Sequence, residues 1–229
     1  SFALIGILVL GVYEPGEVAG WIVGVFLAVL FHELGHALTA RAFGAHPVKI
    51  TLFGLGGVTT YPANTPLTPG RRFLIAASGS AVGMTLGGLL YLSRNTEPVA
   101  DLFPFGRALV SGFVVAGLLW GALNWLPILP LDGGNMAWHA LEAVTPRYAL
   151  RIAKGLTIAT AAVVAFVAIS LWDNTFGAVF VAIIAMQGIR IPEPGAKPKP
   201  RQRSSPAAEA DLLSIFDQPK EQREQPHER

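Results

Sequence analysis

His32-Glu-Leu-Gly-His36 lies inside a long apolar run that extends over residues 18–43. Within residues 18–40 of that run, Glu33 is the one Asp, Glu, Lys or Arg. A membrane-spanning helix needs about 20 consecutive, mostly apolar residues. The stretch therefore predicts a transmembrane helix that carries two histidines and a glutamate. Ionisable side chains inside a membrane usually mark a functional site.

The rest of the chain also has the composition of a polytopic membrane protein. Of its 229 residues, 52% are hydrophobic and 14% are charged, whereas soluble domains carry about 25% charged residues. Together with an apolar start over residues 1–13, which is short for a full crossing, the uncharged runs predict an all-α fold with about six transmembrane helices. The later helices are expected at 72–92, 107–126, 151–172 and 174–190, with a short helix at 135–144.

Residues 44–70 interrupt this helical pattern with four prolines and a glycine-rich stretch. Apolar and polar residues alternate over residues 48–52, as in a β-strand, and glycines typical of a turn follow. The segment therefore predicts a small membrane-associated β-hairpin or a re-entrant loop.

The basic residues indicate how the chain is oriented. If the predicted helices alternate in direction, Lys and Arg concentrate on one side, in residues 49–72, 147–154 and 190–203. Because cytoplasmic loops are rich in Lys and Arg, this side is expected to be cytoplasmic. The prediction is a transmembrane core over residues 1–191 in the cell membrane, followed by a mostly disordered cytoplasmic tail over 192–229.

Composition also limits the partners and the metal chemistry. No stripe of Lys and Arg with interleaved aromatic residues is present, so no nucleic-acid partner is predicted. The chain has no cysteine, so any metal must be held by histidines and carboxylates. The lipid bilayer is an expected partner, and the sequence neither requires nor excludes an oligomer.

The residues 32–36 match the pattern H-E-x-x-H. On a helix, positions i and i+4 share one face, so His32 and His36 can bind one metal ion. Glu33 stands beside the first of them, where its carboxylate can accept a proton from water. The pattern predicts a catalytic zinc site, with Glu33 as the general base.

A catalytic zinc usually has three protein ligands, and Asp132 is the best candidate for the third. Eight Asp and Glu residues precede the tail, and Glu142 has the context of a surface carboxylate. Asp132 follows a proline-rich segment at membrane depth, where a carboxylate needs a cation. The alternative is that Asp132 caps the helix predicted to begin near Asn135. The remaining acidic residues lie in turns predicted on the far side, namely Glu14, Glu17, Glu97, Asp101 and Asp173.

These residues together resemble the site-2 protease family of intramembrane metalloproteases. The resemblance rests on His32–His36 and on Asn124-Trp-Leu-Pro-Ile-Leu-Pro-Leu-Asp132-Gly-Gly, and it covers roughly residues 18–190. It implies one zinc ion per chain and regulated intramembrane proteolysis of single-pass membrane proteins near the cytoplasmic side. A membrane-tethered anti-sigma factor, a sigma-factor precursor or a leftover signal peptide would each fit such an enzyme.

The resemblance also implies roles for residues outside the metal site. Asn124 would orient the substrate or stabilise the oxyanion, although a hydrogen bond between helices explains it equally well. The hairpin would pair with an unwound substrate as an added strand. The hairpin residues that this role assigns are Phe53, Gly54, Leu55, Gly56, Gly57 and Val58.

One segment departs from the family pattern. Where many members carry a proline and an asparagine in the helix after the hairpin, this chain has Ser80 and Gly83. The departure puts any polar role of that motif in doubt. Two other histidines, His46 and His139, are close enough in sequence to the motifs to line a cavity, and neither is assigned to the metal.

Two other functions compete with a protease. A metal-binding membrane transporter would need further ligands along a path, and residues 151–172 and 174–190 contain no Asp, Glu or His. A catalytically silent membrane scaffold would be expected to have lost Glu33 or a ligand, and all of these residues are present.

Overall fold

In the computed structural model, the chain is described over residues 15–53, 56–94, 96 and 102–193. The predicted element at 1–13 and nearly all of the predicted tail lie outside the described residues. The chain divides into two units, Ser1–Ile191 and Pro192–Arg229, and every element below belongs to the first. The helices are α1 (Pro15–Ala42), α2 (Pro69–Ser93), α3 (Pro104–Asn124), α4 (Asp132–Val144), α5 (Ala149–Trp172) and α6 (Thr175–Ile189), and the strands are β1 (Lys49–Phe53) and β2 (Gly56–Thr60).

Four of the described helices are long and apolar enough to cross a membrane. A fifth, α6, is apolar but has 15 residues, which rise about 22 Å along a helix. The helical, multi-pass architecture is confirmed, with each described helix within a few residues of its predicted bounds. The four candidate spans are Gly16–Ala42, Pro69–Ser93, Pro104–Asn124 and Ala149–Leu171.

Local chemistry sets several of these helix ends. The Thr68 side chain accepts a hydrogen bond from the Arg71 amide at 3.3 Å, and Pro69 occupies the first turn of α2. Asn174 caps α6 in the same way through the Gly177 amide, at 2.8 Å. Beyond the end of α1, Gly44 adopts a φ of 90°, a conformation that glycine adopts without strain.

Helix α1 packs against both α2 and α3. Glycines allow this close approach, because a Cβ on Gly24 would overlap the main chain of Leu109 in α3. Helix α5 packs against α6 and α4, and α4 also packs against α2. The chain segment before α4 joins this second group through the buried Ile128, which packs with Ala161 and Ala185.

Helix α3 contains a π-helical segment, Ala116–Trp120, between α-helical portions. The sequence predicts a continuous helix here, so the widened turn is a feature that the apolar pattern does not reveal. It lies where α3 approaches α2 closely, since a Cβ on Gly117 would stand 2.7 Å from the Gly83 carbonyl oxygen. Widened turns of this kind often occur at functional sites.

The segment after α1 forms a β-hairpin, which decides between the two predicted alternatives. Strands β1 and β2 are antiparallel, with Lys49 opposite Thr60 and Phe53 opposite Gly56. Strand β2 also packs against α1. Gly54 and Leu55 lie outside the described residues.

Candidate metal centre

His32 and His36 on α1 meet Asp132 at the first residue of α4. The His32 Nε2 atom lies 3.3 Å from Asp132 Oδ2, and His36 Nε2 lies 3.3 Å from Asp132 Oδ1. The two Nε2 atoms are 3.1 Å apart. One ligand atom from each residue lies within 4.8 Å of the others, so the three predicted ligands converge on one point.

The ring of His36 is oriented by helix α2. Its Nδ1 atom lies 2.6 Å from the carbonyl oxygen of Ile75, which indicates that Nδ1 carries the proton and that the Nε2 lone pair faces Asp132. Gly79 leaves room for the ring, because a Cβ at that position would overlap it. Helix α2 therefore fixes both the tautomer and the orientation of this imidazole.

The donor set fits a divalent cation. Two imidazole nitrogens and a carboxylate converge in an interior where His32 and His36 are each 8% exposed. Electron-rich atoms at such distances repel one another unless a proton or a metal ion lies among them. Imidazole and carboxylate ligands are those of zinc sites that keep one position open for water. His32, His36 and Asp132 are thus the residues that would hold zinc here.

Asp132 does not cap α4 as the alternative interpretation required. It is the first helical residue, and the capping position is Leu131. Besides the two imidazoles, its carboxylate accepts a hydrogen bond from Ser80 Oγ at 2.7 Å. Gly133 and Gly134 allow α4 to start against the preceding segment, because a Cβ on either would collide with the main chain of residues 125–129.

Glu33 is 5% exposed and contacts the hairpin. Thr59 Oγ1 donates a hydrogen bond to Glu33 Oε2 at 2.7 Å, and it also lies 3.1 Å from the main-chain oxygen of Glu33. A Cβ on Gly57 would stand 2.9 Å from Glu33 Oε1. Strand β2 therefore lies directly over the predicted general base and restrains its carboxylate.

A cavity of about 640 Å³ opens beside these residues. Asn124, which is buried, lines this cavity, as a substrate-facing role requires. Among the described hairpin residues that were predicted to bind substrate, four line the cavity as well. These are Phe53, Gly56, Gly57 and Val58.

Of the two histidines that were predicted to be near enough to line a cavity, His139 lines it and His46 is exposed. The Nδ1 atom of His139 lies 3.0 Å from Glu142 Oε2, and Arg72 approaches the other oxygen of Glu142 at 3.8 Å. Burial lowers the pKa of His139, although the Glu142 carboxylate opposes this effect. Glu142 was predicted to be a surface carboxylate, and the structure shows that it also pairs with His139 and Arg72.

The sequence did not predict two hydrogen bonds to the carboxylates of the site. Thr59 contacts Glu33 across 26 positions, and Ser80 contacts Asp132 across 52. Neither separation corresponds to a recognised sequence motif. Ser80 carries one weak signal, since it is a polar residue within the uncharged part of a helix, in the segment that departs from the family pattern.

Known proteins are similar to this chain in sequence and in architecture. The family model for peptidase family M50 matches residues 20–99, which contain His32, Glu33 and His36. A Synechocystis sp. protein with the provisional name zinc metalloprotease sll0528 is 33% identical over 55% of this chain and 34% of its own length. The zinc metalloprotease MJ0392 of Methanocaldococcus jannaschii is 26% identical, over 59% of this chain and 39% of its own length.

Residues 20–99 of this chain are therefore similar to peptidase family M50. A solved structure, a site-2 protease from Methanocaldococcus jannaschii, aligns with this chain at a TM-score of 0.61 and 24% identity. The alignment covers 86% of this chain and 90% of that structure, and it shows that the two share a fold. The matched regions span about a third of the length of the two curated relatives. The resemblance to the site-2 protease family is confirmed.

Proposed function

We propose that this chain is an intramembrane zinc metalloprotease that hydrolyses a peptide bond in the transmembrane segment of single-pass membrane proteins. In this proposal His32, His36 and Asp132 hold one zinc ion per chain. The observation that carries it is the convergence of these three buried side chains beside Glu33, at a cavity between apolar helices. Such an arrangement has the parts that a hydrolytic zinc site needs.

Bound zinc would supply a Lewis acid that increases the acidity of water in the cavity. Glu33 accepts the proton of the attacking water and later returns it to the leaving amine. The Thr59 hydroxyl, 2.7 Å from Glu33 Oε2, restrains the carboxylate while it does so. The Asn124 amide, at the cavity wall, donates a hydrogen bond to the oxyanion that develops on the substrate carbonyl.

The hairpin supplies the surface on which the substrate is bound. A transmembrane helix protects its own peptide bonds, so the substrate must unwind before attack. An unwound segment can then add to the hairpin as a further strand, with exposed Phe53 and Val58 contacting its side chains. A membrane-tethered anti-sigma factor is one substrate of this class.

The proposed location is the cell membrane, with the site near the cytoplasmic side and the C-terminal tail in the cytoplasm. The support is the charge distribution. Basic residues of the hairpin, the start of α2 and the start of α5 fall on one side of the alternating helices, and cytoplasmic loops favour such residues. Representative members of this set are Lys49, Arg71, Arg72, Arg151 and Lys154.

The transporter and scaffold alternatives have less support. Among the residues that the structure describes, one group of potential metal ligands is found, and α5 and α6 contribute none of its members. A transport path would need additional polar sites across the membrane. A silent scaffold does not require Glu33 beside the metal group, restrained by the Thr59 hydroxyl.

The test combines zinc content with cleavage. Wild-type protein and Glu33→Gln are purified in detergent, analysed for zinc, and reconstituted into liposomes with tagged single-pass membrane proteins that include anti-sigma factors. The proposal expects about one zinc per chain in both proteins and cleavage within the transmembrane segment by the wild type alone, mapped by mass spectrometry. Equal cleavage by Glu33→Gln, or a folded wild type without any divalent metal, would contradict it.

A further inference from the structure

Ser80 makes a hydrogen bond that differs from those of the other serines in its helix. Ser78 and Ser93 donate to main-chain oxygens three residues earlier, at 2.7 and 3.1 Å, as serines in helices commonly do. Ser80 instead donates across the molecule to Asp132 Oδ2 at 2.7 Å. Ser80 itself is completely buried, and it reaches a carboxylate that lines the cavity.

Ser80 belongs to a segment of α2 that contacts two of the three predicted ligands. In this segment the Ile75 carbonyl oxygen accepts from His36 Nδ1 at 2.6 Å, and Gly79 accommodates the His36 ring. Positions 75 and 79 are four residues apart and share a helical face, and position 80, the next residue, contacts Asp132. Helix α2 contributes no ligand, yet it positions ligands that belong to α1 and α4.

We propose that Ser80 is a positioning residue for the metal centre, which holds the Asp132 carboxylate in the orientation that binds the ion. A carboxylate at the start of a helix rotates about its side-chain bonds. A donor on one oxygen restricts this rotation and leaves the other oxygen to act as a ligand. Outer-shell contacts of this kind commonly change metal affinity or activity by about 10–100-fold.

This role is specific to the sequence of this chain. The family resemblance places a proline at position 80 in many members, and proline has no hydroxyl group to donate. Here Ser80 Oγ and the His32 Nε2 atom lie 2.7 and 3.3 Å from the same oxygen, Asp132 Oδ2. The segment that departs from the family pattern therefore has a polar role, contrary to the doubt raised by the sequence.

The inference rests on the proposed metal site and is tested by metal binding, without a protein substrate. Ser80→Ala is compared with the wild type, and Ser93→Ala serves as the matched control. Ser93 lies on the same helix, and its hydroxyl donates only to the main chain of that helix. Zinc affinity is measured by chelator competition, and Co²⁺ loaded in place of zinc reports ligand geometry through its visible absorption. The melting temperature of the metal-free proteins reports folding.

Ser80→Ala is expected to bind zinc about 10–100-fold more weakly than the wild type and to show an altered Co²⁺ spectrum. Ser93→Ala should match the wild type, and the metal-free proteins should melt at similar temperatures. Wild-type affinity and spectrum in Ser80→Ala would overturn the role of Ser80 and leave the metal site intact. A lower metal-free melting temperature with unchanged affinity would also overturn it, as a packing effect. A wild type that binds neither metal would instead refute the proposed function.

Discussion

The cavity has a ligand side, formed by His32, His36 and Asp132, and a hairpin side, formed by β1 and β2. The two sides differ in how deeply their side chains are buried. On the ligand side, His32 and His36 are each 8% exposed and Ser80 is 0% exposed. On the hairpin side, Phe53 is 51% exposed and Val58 is 44% exposed. The ligand side lies between helices that touch through glycines, whereas the hairpin is a two-stranded sheet that packs on α1.

The difference fits what the proposed function requires of each side. Converging imidazoles and a carboxylate are tolerated inside a protein only when neighbouring groups fix them and a cation balances them. A surface that receives an unwound peptide must keep unpaired main-chain groups available. We therefore expect substitutions on the ligand side to change metal binding, and those on the hairpin side to change turnover or substrate binding.

The largest effect is expected from Asp132→Ala, which removes a ligand and leaves two histidines. Zinc affinity should fall by more than the roughly 100-fold that outer-shell changes cause, and cleavage should disappear with it. Metal analysis of the purified proteins checks this expectation. Asp173→Asn, at the left-handed position that ends α5, is the acidic control and should retain full zinc. A zinc-loaded Asp132→Ala would place the third ligand elsewhere.

Gly79→Ala should weaken the ligand side without removing any ligand. The added methyl group would overlap the His36 ring, so the imidazole must move from its position. We expect zinc affinity to drop by about 10–100-fold, as measured by chelator competition. Gly88→Ala lies on the same helix, and its methyl group would meet no atom within 4 Å, so it should bind zinc like the wild type. Equal affinities for the two variants would mean that α2 does not constrain His36.

Thr59→Val tests whether the hairpin restrains the general base. Valine keeps the shape but loses the hydroxyl that donates to Glu33, so turnover should fall about tenfold, corresponding to about 1.4 kcal/mol. The readouts are kcat on the liposome substrate and zinc content, which should not change. Thr59→Ser should keep most activity, and Thr60→Val, on the opposite face of β2, should behave as the wild type. Loss of zinc in Thr59→Val would indicate that the two sides are not separable.

The smallest effect is expected from Val58→Ala on the hairpin. Its side chain is partly exposed and lines the cavity, so losing two methyl groups removes apolar contact with a bound substrate. A rise in KM of about two- to fivefold, at unchanged kcat and zinc content, is expected. Val144→Ala is the control, because Val144 is 80% exposed at the end of α4. An unchanged KM would argue that the substrate does not lie along β2.

Much of the helical framework could be predicted from local sequence. The uncharged runs located α2, α3, α5 and α6 to within a few residues, because burying a charge in lipid is costly. The same reasoning singled out Asp132, which the structure places beside the two histidines. Standard helix signals are also able to predict the N-cap at Thr68, which precedes Pro69 at the start of α2.

The features that could not be predicted depend on contacts between distant segments. The π-helical turn at Ala116–Trp120 lies where Gly117 meets Gly83, and the apolar pattern is the same for either type of helix. The choice between a hairpin and a re-entrant loop at residues 44–70 was open for a similar reason. Alternating residues indicate an extended strand, but they do not reveal which segment will pair with it.

The sequence by itself determined the membrane-spanning helices, the paired histidines with Glu33, and the carboxylate at Asp132. The helices and the histidine pair follow from residue type and helical spacing within a short segment, and Asp132 follows from its proline-rich context and from the settings of the other acidic residues. Tertiary structure alone decided that Ser80 holds Asp132, that Thr59 holds Glu33, and that Ile75 orients His36. These hydrogen bonds require atoms within about 3 Å of each other, and only the packing of α1, α2, α4 and the hairpin brings them that close.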